Sequence, residues 1–188
     1  MGRIVCLLLI CLWLWSGSLA AWASVDPGEL AKAVTEIELL DQMRTSLAGT
    51  LEGSTEEPTL DTFKAVCAPV GRRAQAIAQE NGWQVRQVAL KYRNPNHKPQ
   101  DAAEERALAE FAAHPDLQGF WQRDERGVRY FRRIDVQASC LVCHGAKDSR
   151  PPFIQTKYPQ DLAYNFQVGD LRGMYAVIIP ELEKALEK

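Results

Sequence analysis

Cys140-Leu141-Val142-Cys143-His144 constrains this chain more than any other segment, because two thiols three residues apart followed at once by an imidazole form an acceptor sequence for covalent haem attachment. The chemistry sets the spacing. Both thiols must reach the two vinyl groups of one porphyrin, and a short turn carrying them brings the next imidazole beneath the iron. Cys140 and Cys143 are therefore expected as thioether anchors of one haem c, and His144 as an axial ligand. A disulfide, half of a zinc site or chance would leave the same pentapeptide. A zinc site needs two further ligands at paired spacing, and the sequence has no second Cys/His cluster.

The N-terminus points to a matching compartment. Arg3 gives a positive start, Ile4 to Trp15 is an almost unbroken apolar run, and Ala21-Trp22-Ala23 is a small-x-small cleavage site. Residues 1–23 are expected to be a secretory signal, since the run is short for a membrane span. If retained, the segment would anchor the protein instead. Cys6 and Cys11 fall in this stretch, and Ile10 is too bulky for a lipid-attachment box, so neither is given a role. Attachment of this kind follows export, which makes the periplasm or thylakoid lumen the expected location.

Residues 24–188 are expected to form a single domain with room for a haem. With 22 basic against 24 acidic residues and a net charge of −2, nothing suggests nucleic acid as a partner. Cys67, Cys140 and Cys143 survive cleavage. If haem takes two of them, Cys67 is an odd thiol that needs an explanation.

Asp26-Pro27-Gly28-Glu29 reads as an N-cap, a proline in the first turn and an acidic start. Leu30, Val34, Ile37, Leu40, Leu47 and Leu51 then recur at helical spacing, predicting a long amphipathic helix ending near Gly53-Ser54. Its stripe is expected to pack into the core, a homodimer or signalling face being the alternative. A second helix is expected from Thr59 to Asn81-Gly82, kinked beside Cys67 by Pro69. Trp83 to Arg93 reads as a strand with a bulge near Arg86-Gln87, and Arg93 to Pro99 as a loop. Asp101 and Glu104 predict a capping box on a helix running to His114. Phe120–Arg123 and Val128–Val136 predict a hairpin, Met174–Ile179 a last strand, and Pro180–Lys188 a short charged helix. Helices first, then strands separated by one helix, predict an α+β fold with a mostly antiparallel sheet.

For the sixth iron ligand the residues leave Cys67, His97, His114, Met43 and Met174 open, or no ligand at all. Histidine and methionine are the usual choices. The methionines sit in apolar patterns and read as core, and His114-Pro115 reads as a helix stop. His97 in the polar loop is the main rival. Cys67 lies beside the kink, and ligation would account for its unpaired thiol. Arg93, Arg72 and Arg73 are candidate partners for haem propionates. Trp121, Tyr130 and Phe131 could wall a haem but are expected to pack the general core.

The ordered set of motifs resembles a family, the PAS-like single-haem c-type cytochromes of cyanobacteria, which are related to extracytoplasmic haem sensor domains of bacterial signalling proteins. The resemblance rests on Leu90-Lys91-Tyr92-Arg93-Asn94-Pro95 followed by Pro99, on Glu105 to Phe111, on Cys140-Leu141-Val142-Cys143-His144-Gly145 and on Gly169-Asp170-Leu171-Arg172-Gly173. Ala102-Ala103 departs from it where an aromatic residue is expected before the acidic one. The resemblance implies a PAS-like fold, an antiparallel sheet flanked by helices, and axial ligation by His144 and Cys67.

Three function classes follow. A redox or small-ligand sensor would use a thiolate that stabilises ferric iron and detaches on reduction or protonation. A soluble single-haem electron-transfer cytochrome needs only two strong ligands. A haem enzyme such as a peroxidase needs an open iron position and a distal base; His97 is the only candidate and nothing in the sequence brings it near iron, so no enzyme activity is expected. The resemblance favours the sensor, acting through a redox or signalling partner protein or a small ligand at the iron.

Overall fold

Asp26 opens the first helix as expected, its carboxylate accepting from Gly28 N at 2.8 Å. The computed structural model describes residues 26–180; the expected signal segment and the residues after Pro180 lie outside the described residues. Helix α1 spans Pro27–Gly49, ending a little before the predicted Gly53-Ser54. It is followed by α2, Leu60–Val66, and α3, Ala68–Asn81. Cys67 separates these two helices, so the predicted single kinked helix is two helices. Pro69 explains the break: it has no N–H to continue α2, but sits in the first turn of α3, where none is needed.

Strand β1 is Gln84–Val88, much shorter than predicted, and its pairing is regular through Arg86 and Gln87. The expected bulge is absent there. The irregularity falls instead between Ile134 and Asp135. Helix α4, Ala102–Ala113, precedes a hairpin of β2, Gly119–Asp124, and β3, Gly127–Asp135. Short helices α5, Leu141–His144, and α6, Pro152–Lys157, lead to β4, Leu171–Ile179. The strands form one antiparallel sheet in the order β1-β4-β3-β2. The fold is α+β with a four-stranded antiparallel sheet and a long N-terminal helix.

Strand β4 is central and buried on both faces, which explains its continuous apolar run. Tyr175, Val177 and Ile179 meet Ile37 and Leu40 of α1 and Val70, Ala74 and Ile77 of α3. Met174 and Ala176 face the other way, against Ala107, Leu108 and Phe111 of α4. Helices thus cover both faces. The α1 stripe packs into the core, and its buried Ile37 and Leu40 each contribute about 1.5–3 kcal/mol by leaving water.

The other side of β3 holds buried charges that alternation did not predict. Arg129 pairs with Asp101 at 2.9 Å and Asp124 at 2.5 Å, while Arg133 pairs with Asp135 and donates to Phe111 O. Asp101 caps α4 by accepting from Ala103 N and Glu104 N. The expected reciprocal half of that box differs. Glu104, its side chain 2% exposed, takes Arg86 at 2.7 Å and Gln100 N at 2.7 Å, fastening β1 to α4.

Candidate functional site

A cavity of about 400 Å³ opens between α1, the α2–α3 junction, the end of β1 and the pentapeptide. Ala48, Leu51, Phe63, Val66, Val70 and Ile134 supply apolar wall, and Cys67, Cys140, Cys143 and His144 all contribute to the lining. Residues separated by more than seventy positions therefore share one site. His97 lines it too, so both rivals for the position opposite His144 remain beside it. Met43, Met174 and His114 do not line the cavity: Met174 is in the core below the sheet and exposed His114 faces Glu110 at 3.3 Å. Tyr130 and Phe131 enter the core as expected, whereas Trp121 lies against Tyr130 on the outside of the sheet and is exposed.

The pentapeptide is shaped locally. Ala138–Cys140 forms a tight turn that runs into α5, and Gly145 N closes α5 on Leu141 O at 2.8 Å. A strap, residues 161–170, then clamps it. Asn165 N donates to Gly145 O at 2.6 Å and Phe166 N to His144 O at 3.2 Å. Asn165 adopts φ 54°, a conformation asparagine tolerates, and its side chain accepts from Lys147 N. Phe166 stands edge-on to the His144 ring, with Val136 and Ala163 behind it.

His144 Nδ1 lies 2.8 Å from Ala163 O and 3.4 Å from Arg93 Nη2. The shorter contact assigns the proton to Nδ1, leaving Nε2 with a free lone pair. Burial holds the imidazole pKa well below the usual histidine range, with Arg172 and Arg93 adding to the effect. Neutral imidazole is the form that binds a metal.

Cys67 is accessible because it faces the cavity, yet enough protein surrounds it that burial raises its thiol pKa. Arg93, Arg172 and Arg44 pull the other way, as does the N-terminus of α3, where Cys67 holds the N-cap position without a side-chain hydrogen bond. Cys143 is pushed up to about 11, chiefly by burial. His97 is pushed down to about 4 by burial, then by Arg172 and Arg86.

Of the expected propionate partners, only Arg93 reaches the cavity. Arg72 is exposed and does not line the cavity, while Arg73 pairs with Glu36 at 2.7 Å and with Glu80 at 3.1 Å. Arg93 does line it, but works as a strut: Nη2 donates to Cys143 O at 2.8 Å and Nε lies 3.3 Å from Asp161 Oδ1. Sequence reasoning missed Arg44 and Arg172 in the lining. Arg44 Nη1 lies 4.0 Å from Cys140 Sγ and its Nε bonds Asp41 at 2.8 Å. The arginine in Gly169-Asp170-Leu171-Arg172-Gly173 was the available signal. Gly173 beside it must be glycine, because its φ is 155° and a Cβ would lie 2.4 Å from Val88 O.

Among the described residues no group of three or more His, Cys, Asp or Glu side chains is placed to hold a metal ion by itself. An iron here would need most of its ligands from a macrocycle.

The model of the Tll0287-like family matches residues 23–180. Among solved structures, the chain is similar to the crystal structure of the cyanobacterial haem protein Tll0287, with 69% identity and a TM-score of 0.78. That match covers 84% of this chain and 98% of the other. No curated protein matches.

Proposed function

The chain belongs to the Tll0287-like family, and from that premise we propose that it is an exported c-type haem protein of PAS-like fold, a redox or small-ligand sensor whose iron is held by His144 and Cys67. Residues 1–23 act as its signal peptide and 24–188 as one haem domain. The observation that carries this reading is the convergence of Cys140, Cys143, His144 and Cys67 on one largely apolar cavity. Its volume of about 400 Å³ lies within the range of cofactor pockets, roughly 300–1,000 Å³. The related protein of known structure is itself a haem protein.

When bound, haem supplies a one-electron centre able to take small ligands. The chain's own residues set its surroundings. Cys140 and Cys143 tether the group, Ala163 O fixes the tautomer and direction of His144, and Arg93 holds the turn between them. Cys67 is favoured over His97 because it stands at the first turn of α3 beside the cavity, where Arg93, Arg172 and Arg44 partly offset the burial that raises its thiol pKa. Its position between α2 and α3 couples sulfur binding to the helix junction. Release of Cys67 would free that junction to move, giving a partner protein something to read.

The alternative is a soluble single-haem electron-transfer cytochrome. The clamp of strap and buried ion pairs on α5 favours it, since rigid ligands reorganise little on electron transfer. Spectra of purified holoprotein in both oxidation states test the reading. Loss of thiolate ligation on reduction, with uptake of carbon monoxide, supports the sensor; unchanged six-coordinate ligation and fast exchange with a soluble carrier support the carrier.

A further inference from the structure

Three arginines line the cavity, and two have a carboxylate of their own. Arg44 holds Asp41 at 2.8 Å and Arg93 faces Asp161 at 3.3 Å. Arg172, rising from β4, has no carboxylate within ion-pair distance among the described residues. Its Nη1 donates to Lys91 O at 3.1 Å, and its guanidinium lies 5.6 Å from the centre of the Phe166 ring. Neither partner carries a negative charge. Asp161 is near enough to be felt, but Arg93 and Arg150 already bind it. Burial and then the neighbouring Arg93 bring the Arg172 pKa down to about 10, an exceptional value for arginine.

A half-buried guanidinium beside a second cation, in a lining without a carboxylate, is stabilised when an anion reaches it. Every other group around it in the lining is neutral, cationic or a thiol. We propose that Arg172 is the carboxylate-binding residue of the cavity and pairs with a propionate of the bound haem. The inference rests on the haem reading above. It assigns to Arg172 the role that the sequence suggested for Arg72 and Arg93. Planar guanidinium geometry suits a bidentate carboxylate contact, and such a contact would help to orient a bound haem.

The test uses the full chain produced without attached haem, titrated with ferric haem and with ferric haem dimethyl ester, binding being followed by the Soret band. A charge-assisted hydrogen bond predicts that the unaltered chain prefers the free acid by roughly 10- to 100-fold. Arg172→Gln should lose that preference while its affinity for the ester stays unchanged. Arg172→Lys, which keeps the charge, should retain part of the preference. If the unaltered chain binds acid and ester equally well, the haem reading stands and the assignment of Arg172 is overturned. An acid preference that survives in Arg172→Gln, or equal loss of both ligands in both variants, overturns it as well. If the unaltered chain binds neither, the haem reading falls and takes the proposal with it.

Discussion

Arg93 Nε lies 3.3 Å from Asp161 Oδ1, and the Asp161 side chain is fully buried. The second oxygen of that carboxylate takes Arg150 at 2.8 Å, and Oδ1 also accepts from Ala163 N at 2.9 Å. Through Arg93 Nη2 the carboxylate reaches Cys143 O, and through Ala163 it sets the carbonyl that receives His144. One buried aspartate thus organises both sides of the pentapeptide. Removing it leaves two largely buried guanidinium groups without a carboxylate, so Asp161→Ala should lower unfolding free energy by about 3–5 kcal/mol. Urea unfolding of the haem-free chain measures this, and a loss below about 1 kcal/mol would contradict the role.

Covalent attachment should survive denaturation. Holoprotein unfolded in acid and organic solvent should keep its haem, and Cys140→Ala with Cys143→Ala should release it. Intact mass of the exported form should match a chain starting at Ser24 plus one haem. Haem lost from the unmodified chain, or a mature form still starting at Met1, would reject the corresponding expectation.

Cys67→Ala should shift the ferric spectrum toward high spin and speed the uptake of cyanide or imidazole. His97→Ala should leave it nearly unchanged. Burial raises the free Cys67 thiol, so a bound metal must displace its proton, and ligation should weaken on reduction as iron loses charge. If His97→Ala gives the high-spin spectrum instead, His97 is the ligand and Cys67 an inert thiol of the lining.

Stability should fall in acid through identifiable carboxylates. Burial pushes Asp101 up, but the Glu104 backbone N–H, Arg129 and Arg126 outweigh it and hold the group below its usual value. A folded pKa below the unfolded one contributes stability that is present above the unfolded value, about 4, and is lost as pH falls through the folded one. Unfolding free energy should therefore begin to drop as the pH approaches about 4 and go on falling below it. Asp101→Asn should be less stable near neutrality and show a shallower decline. A variant with the same slope as the unaltered chain would place the acid sensitivity elsewhere.

Much of the chain was legible because its signals are local. The Asp26 cap, the Asp101 cap, the hairpin turn after Asp124 and the apolar run of β4 each follow from a few neighbouring residues. Where the sequence misled, the reason was Pro69 at the helix break and more distant partners elsewhere. The break at Cys67 took the place of a kink, and the irregular pairing moved from Arg86-Gln87 to the step between Ile134 and Asp135, next to Gly173, whose backbone lies too close to Val88 O for a Cβ. Glu104 left its expected cap to meet Arg86.

By itself the sequence determined the spacing of Cys140, Cys143 and His144, and with it the class of cofactor those residues can receive. Tertiary structure alone decided that Cys67 and His97 share their cavity, that Arg93 braces the turn, and that Arg172 enters it without a carboxylate. The reason is one of range. Thiol spacing and helix capping are set within one or two turns of chain, whereas the cost of burying a charge depends on which groups the fold brings beside it.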